Sequence, residues 1–218
     1  MTAISTKGIK RLSKAERAEI FLPEEIKKIL IGILLGDGHI VRRSITSNSR
    51  LVYAQTAIEH REYFNKVYSI FKPYCTKNFV PKSLINLDKR SNKEYTSISF
   101  TTMQLSCFNW FRENFYNLNV KKVPNNICNL LTPIGLAYWI MDDGSRQGSG
   151  LHISIYGFSN EDVNKLMFTL QNKFNLKCSI HYNRNNKPRI YIFKESMDCL
   201  IDLVKPFFIP EMLYKLGL

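Results

Sequence analysis

The sequence predicts an α+β fold: two pseudo-symmetric αββαββα repeats forming a saddle of antiparallel sheets, with two apolar helices packed at the central interface. Three observations predict it. Residues 30–38 and 136–144 share one design, an apolar helical run closed by an aspartate and a glycine, at Asp37-Gly38 and Asp143-Gly144. The two aspartates lie 106 positions apart, about half of the 218-residue chain. Downstream of each run the same order of strand-like and helical patterns recurs, although the residues themselves have diverged.

Pro23 reads as the first residue of a helix, and Glu24 and Glu25 then occupy a first turn, where acid is favoured. Ile26, Ile29, Leu30, Ile33 and Leu34 form its apolar stripe, and Gly38 supplies the stop. Strand-like runs at 39–46 and 50–58 flank the turn-prone Ser47-Asn48-Ser49. Phe64, Val67, Tyr68 and Phe71 are spaced for a helix. Strands at 79–87 and 95–101 and a helix at 104–116 complete the first repeat. The second opens on Thr132-Pro133, an N-cap followed by proline at the first helical position, and its helix ends at Gly144. An alternating strand at 151–158 comes next. Ser159 then caps a helix with Val163, Leu166, Met167, Leu170 and Phe174 on one face. A hairpin of 178–182 and 189–193 turns at 183–188, and a helix at 196–204 closes the repeat. The expected domains are a basic lead-in at 1–20 and repeats at 21–120 and 121–218.

Lys and Arg number 31 against 18 Asp and Glu, a net charge of +13. That balance points to a polyanionic partner, nucleic acid first. A membrane is not expected. The longest strong apolar run, 29–35, has seven residues, and a span needs about 20. Five cysteines are odd in number and include no CxxC pair, so neither a zinc site nor a disulfide framework is indicated. They read as buried, reduced thiols of an intracellular protein. Residues 1–17 are basic and polar and lack the apolar stretch of a secretory leader. The bias toward Lys, Asn, Ile and Tyr fits an AT-rich genome, hence an organellar location in a mitochondrion or chloroplast.

The chemistry lies in the repeated Asp-Gly. A helix C-terminus carries negative partial charge and prefers cations, so a carboxylate there is misplaced. Gly32 and Gly36, one turn apart, would let a second backbone approach closely. If the two helices pack side by side, Asp37 and Asp143 meet. Two such charges about 5 Å apart repel by roughly 3 kcal/mol at an effective dielectric near 20. A divalent cation removes that cost. Oxygen donors, the carboxylates of Asp37 and Asp143 with backbone carbonyls at Gly36 and Asp142, suit magnesium. The same donors suit manganese or calcium, rather than zinc. The Asp142 side chain has no counterpart in the first run and reads as a local turn or supporting group. A basic protein with paired carboxylates and a hard metal implies phosphodiester hydrolysis, with water as nucleophile and a lysine near the developing charge. A single Asp-Gly would be an ordinary cap turn; two at equivalent helix ends are not.

The two runs resemble the motifs of a single-chain LAGLIDADG homing endonuclease, and the doubled αββαββα order resembles that family over nearly the whole chain. Residues 121–126 and 209–216 are similar to those of its intron-encoded, double-motif branch. The resemblance implies double-strand DNA cleavage at a long asymmetric site by a monomer. It implies Asp37 and Asp143 as metal-binding catalytic acids and one basic residue per half near the scissile phosphates. Lys122 and Lys215 are the candidates, with Lys121 a close rival of Lys122. Two departures stand out. The small third and seventh positions hold in the first run (Gly32, Gly36) but not in the second (Tyr138, Asp142), and the acid at the sixth position is absent from both (Leu35, Met141). The scaffold also hosts intron RNA maturases, which makes host intron RNA the alternative partner.

Each sheet would lie in the DNA major groove, with one parity of every strand meeting the duplex. In the first half the candidate contacts are Arg42, Ser44, Thr46, Arg50, Tyr53, Gln55, Lys77, Lys82, Asn86, Lys89 and Arg90. Arg43, of opposite parity to Arg42, is its competitor. In the second half they are Arg146, Gln147, His152, Ser154, His181, Asn183, Arg184, Arg189 and Tyr191. His39, directly after the first run, reads as a strand-start or DNA-facing residue, since Ser145 stands there in the second.

Overall fold

In a computed structural model, residues 12–88 and 93–218 are described. Lys89 and Arg90 therefore lie outside the described residues. A short helix, α1 (Lys14–Ala18), is closed at its start by reciprocal Ser13 and Glu16 hydrogen bonds. The first repeat then runs α2 (Glu24–Leu35), β1 (His39–Val41), β2 (Arg50–Thr56), α3 (Arg61–Phe71), β3 (Ser83–Asp88), β4 (Lys93–Thr101) and α4 (Asn109–Phe115). A small ribbon, β5 (Tyr116–Asn117) with β6 (Val120–Lys121), and a single turn, α5 (Ile127–Leu130), lead into the second repeat. That repeat runs α6 (Pro133–Asp143), β7 (Gly144–Gln147), β8 (Gly150–Ser154), α7 (Asn160–Phe174), β9 (Cys178–Tyr182), β10 (Pro188–Ile192) and α8 (Met197–Val204). A 3₁₀ segment, Pro210–Lys215, comes last. The order is αββαββα twice, and the two antiparallel sheets share one strand order, β1-β2-β4-β3 and β7-β8-β10-β9.

Alternation decides which side of each sheet meets helices. On β2, Leu51, Tyr53 and Gln55 are buried while Ala54 and Thr56 are exposed. Their partners Phe100 and Ile98 on β4 are buried with them. Tyr53, Phe64 of α3 and Phe100 pack with ring centroids 5.7–6.2 Å apart. In the second half Leu151, Ile153, Ile190 and Ile192 play this part, and every one is fully buried.

The central helices α2 and α6 are buried along most of their length because both are apolar nearly all round. Their approach depends on two glycines. A Cβ at Gly32 would fall 2.0 Å from the Gly135 carbonyl oxygen, and one at Gly36 would fall 2.4 Å from Asp142 Oδ2. Gly36 and Asp142 hold the same position in their respective runs, so one side chain fills the space that the other leaves.

The strands differ from expectation at their ends. β1 stops at Val41 rather than at residue 46, and residues 42–49 form a loop; β2 and β8 stop at Thr56 and Ser154. β7 has no counterpart among the expected strands, because Gly-Ser-Arg-Gln has no apolar alternation; pairing with β8 creates it. Pro23 caps α2 rather than opening it. Of the five thiols only Cys75 and Cys178 are buried, and Cys199 is exposed, a correction to the reading that all are interior. No described helix is long and apolar enough to cross a membrane.

Candidate active site and nucleic-acid interface

The ends of α2 and α6 meet at one place. Asp37 comes directly after Gly36, the C-cap of α2, and Asp143 is the last residue of α6. Asp37 is exposed and Asp143 half-buried. Burial, and then the charge of Asp37, raise the Asp143 carboxyl to about 7, while Lys121 and Lys215 act the other way. The two expected acids therefore feel each other and two lysines.

Those lysines occupy equivalent stations. Lys121 Nζ donates to the carbonyls of Gly36 at 2.8 Å and Gly38 at 2.9 Å. Lys215 Nζ donates to Asp142 O at 3.0 Å and to Met141 O. Each ammonium thus sits on the orphan carbonyls of one central helix, where positive charge complements the helix dipole. Burial lowers the pKa of both, opposed by the aspartates. This corrects the choice of Lys122: its neighbour Lys121 carries the side chain that reaches the helix end, as strand alternation on β6 requires. It also qualifies the Gly36 and Asp142 carbonyls as metal ligands, because both accept from lysines here.

Asp142 is buried, with both oxygens turned inward. Oδ1 accepts from Tyr53 Oη at 2.8 Å and Oδ2 from the Asp37 amide at 3.1 Å. Burial and the two neighbouring aspartates push its carboxyl well above the usual carboxylate range. Its side chain bridges the halves from within.

Gln55, expected to read a base, is instead part of this network. It lies on the buried parity of β2, and Nε2 donates to Asp37 Oδ2 at 2.6 Å and Tyr53 Oη at 3.0 Å. Its Oε1 meets His60 Nδ1 at 3.0 Å, and His60 Nε2 meets Tyr214 Oη of the second half at 3.3 Å. Tyr53 likewise faces inward, against its expectation as a contact. Sequence reasoning misses His60, which lies in no recognisable pattern, and Tyr214, which lies in the 209–216 segment beside the candidate Lys215.

Other expected contacts divide by parity and pairing. Arg42 is committed to Glu113 at 2.9 Å and Ser49 at 3.1 Å, so it is a structural cation, while Arg43 is exposed at the start of the loop. Arg146 shares the helix-side parity of Leu151 and donates to the Leu216 and Gly148 carbonyls. Asn183 Oδ1 accepts from the amides of Asn185 and Lys187 and shapes the β9–β10 turn. Ser44 and Thr46 lie in the 42–49 loop, exposed and bonded to one another. Lys77 stands in the loop after α3, away from the strands.

The outward face of the first sheet carries His39, Val41, Arg50, Val52, Ala54, Leu84, Asn86, Ser97, Ser99 and Thr101. Lys82 is exposed just before β3, and Asn86 donates to Ser97 Oγ at 2.6 Å. The outward face of the second carries Ser145, Gln147, His152, Ser154, Ser179, His181, Arg189 and Tyr191. His152, His181 and Tyr191 cluster, with the His181 and Tyr191 rings stacked at 4.6 Å. Arg189 Nε donates to Tyr156 Oη at 2.6 Å, and Arg184 is exposed at the hairpin tip.

Comparison with known proteins fits this geometry. The model of the LAGLIDADG DNA endonuclease family matches residues 27–200. The chain belongs to that family. It carries two LAGLIDADG repeats, and relatives are named as intron-encoded endonucleases. It is 36% identical over 160 residues to the intron-encoded endonuclease ai4 of Dictyostelium discoideum, covering 72% of this chain and 98% of that one. It is 36% identical over 205 residues to the cytochrome b mRNA maturase bI2 of Saccharomyces cerevisiae, covering 88% of this chain but 47% of that protein's length. The homing endonuclease I-WcaI, solved bound to its DNA recognition sequence, superposes with a TM-score of 0.86 at 27% identity, covering 96% of this chain and 95% of that one. The α+β fold is that of the LAGLIDADG homing endonucleases.

Proposed function

We propose that the protein is a site-specific, metal-dependent DNA endonuclease that hydrolyses both strands of a long asymmetric target and acts as a monomer. The observation that carries this reading is the pair of aspartates at the packed ends of α2 and α6, each flanked by a lysine on the helix-end carbonyls. A single chain supplies both halves of the site. The I-WcaI complex supports DNA as the partner.

The donor set fits magnesium. Among the described residues no group of three or more His, Cys, Asp or Glu side chains is arranged to hold a metal. A pair of carboxylates is what magnesium requires of a protein when waters and substrate phosphates complete its shell. Asp37 and Asp143 would hold it, and bound magnesium would supply Lewis-acid activation of water and stabilisation of the leaving oxygen. Manganese can replace it; calcium holds the complex without cleavage. Gln55 fixes the Asp37 carboxylate, the more exposed of the two, in its ligand orientation. Lys121 and Lys215 place positive charge beside the two scissile phosphates.

The outward sheet faces supply the duplex contacts, with Arg50, Asn86, Gln147, His152, His181, Arg189 and Tyr191 toward the groove. Two relatives named cytochrome b mRNA maturase support a second reading, in which the scaffold also binds host intron RNA. An intracellular, organellar location accords with both.

The test is cleavage of a plasmid library in magnesium by wild type and by Asp37→Asn. Linear product from wild type alone supports the nuclease. Cutting by both proteins, or by neither on a verified site, overturns it.

A further inference from the structure

Behind Gln55 the hydrogen bonding continues away from the aspartates, through His60 to Tyr214. His60 is the N-cap of α3, yet its side chain makes no bond to its own helix. Ser159, the N-cap of α7, does what a cap residue ordinarily does and accepts from the Asp162 amide at 3.2 Å. The His60 side chain therefore serves something other than its helix.

Each bond in this chain has one direction. Gln55 Nε2 lies 2.6 Å from Asp37 Oδ2 and 3.0 Å from Tyr53 Oη. The amide nitrogen must face the ionised carboxylate, because an amide oxygen there would set two acceptors against each other. Gln55 Oε1 then faces His60 at 3.0 Å and can only accept, so Nδ1 carries the hydrogen. Burial, and then the charge of Lys215, lower the His60 pKa against the pull of Asp37 and Glu59, which favours a neutral ring. A neutral ring protonated at Nδ1 is bare at Nε2. Tyr214 Oη, 3.3 Å away, donates to it. The opposite tautomer would aim a lone pair at Gln55 Oε1 and favour an amide flip that takes the donor away from Asp37.

Tyr214 is the neighbour of Lys215, whose buried ammonium sits on the Met141 and Asp142 carbonyls at the end of α6. Two consecutive residues of the closing 3₁₀ segment thus reach the helix that bears Asp143 and, through His60 and Gln55, the Asp37 carboxylate. The linkage exists once. Lys121 is preceded by the exposed Val120, whose side chain offers no polar group.

With Asp37 taken as a metal ligand, as in the nuclease reading, we propose that His60 is its positioning residue, held as the Nδ1–H tautomer, and that Tyr214 makes the aim of Asp37 depend on the seating of the closing segment.

The test has a spectroscopic and a metal-binding readout, both on the full chain. Nitrogen-15 resonances of labelled histidine, with His60 identified by its absence from His60→Asn, should show Nδ1 protonated and Nε2 bare in metal-free protein near neutral pH. Free histidine side chains favour the opposite tautomer. Calcium-dependent duplex binding is the second readout and needs no cutting. His60→Ser supplies a preferred N-cap but nothing that reaches Gln55. Its calcium midpoint should rise about 10-fold, the lower end of what an outer partner of a metal ligand contributes, while its melting temperature holds or rises. His60→Asn, whose amide nitrogen replaces Nδ1, should return the midpoint most of the way to wild type. Tyr214→Phe should raise it by a smaller factor, because solvent reaches that edge of the ring, and should admit the second tautomer. A wild-type ring protonated at Nε2, or a His60→Ser midpoint equal to that of wild type, overturns the proposal. An unchanged tautomer and midpoint in Tyr214→Phe overturns the link to the closing segment. A wild type that neither cuts a verified site nor responds to calcium defeats the nuclease reading instead, whatever the tautomer.

Discussion

Asp37 and Asp143 end equivalent helices yet stand against different walls. Gly38 and Gly144 fix the correspondence: by strand register, Tyr53 and Gln55 on β2 match Ile153 and Ile155 on and just beyond β8. Asp37 therefore receives an amide hydrogen bond from Gln55, while the equivalent place beside Asp143 is apolar and buried. No hydrogen-bond partner of the Asp143 carboxylate is found among the described residues. A duplicated acid pair need not be a symmetric one. One carboxylate is solvated and pre-aimed; the other is raised to about 7 by burial and by its neighbour.

The acids themselves carry the largest expected effect. Asp37→Asn and Asp143→Asn should each reduce double-strand cleavage roughly 10³-fold, the scale of losing one charged partner of the transition state. Gel assays on a verified target, with calcium-dependent binding as the control, measure it. If only one substitution disables cutting, the two acids are not partners. Gln55→Ala comes next. Loss of the group orienting Asp37 should cost about 10–100-fold in activity or metal affinity, read from magnesium titrations of the cleavage rate. Ile155→Ala on the other side should cost stability rather than metal affinity.

Packing at the axis gives a third test. Gly36→Ala forces a Cβ toward the Asp142 carboxyl and should destabilise by roughly 1–3 kcal/mol in denaturant melts. Asp142→Gly in the same chain should restore much of that loss. A fourth test uses pH. The folded-state value of Asp143 is raised above its ordinary 3.8, so the folded state holds its proton where the unfolded chain has released it. The stabilisation is complete below about 4, declines as pH rises, and is gone above about 7. In chelator, Asp143→Asn should flatten this part of the stability profile; Asp142, shifted in the same direction, keeps a residual slope. The smallest effects concern the sheets. His181→Ala or Tyr191→Ala should weaken duplex binding by about 1 kcal/mol or more. Ser99→Ala or Thr101→Ala on the first sheet should stay within about 0.5 kcal/mol.

Much of the architecture is legible in one dimension because it rests on short-range rules. Thr132-Pro133 opens α6, Ser159 caps α7, and the two Asp-Gly ends locate the axis. What stays hidden depends on partners distant in sequence. Gln55 and Lys82 look equally available along the chain, and only the pairing of β2 with β4 turns Gln55 inward. Arg42 and Arg146 look free for DNA because nothing local reveals Glu113 or the Leu216 carbonyl. Lys121 and Lys122 differ by one residue, and a two-residue strand decides between them. β7 carries no apolar signal at all and exists because β8 recruits it.

The empty seat at Gly36 and the filled one at Asp142 make the two repeats sterically complementary. A protein assembled from two first repeats would hold a void on its axis; one assembled from two second repeats would crowd two carboxyl groups into a single volume. Each repeat now fits only its sibling. Swapping repeats between relatives will succeed only where both seats are exchanged together.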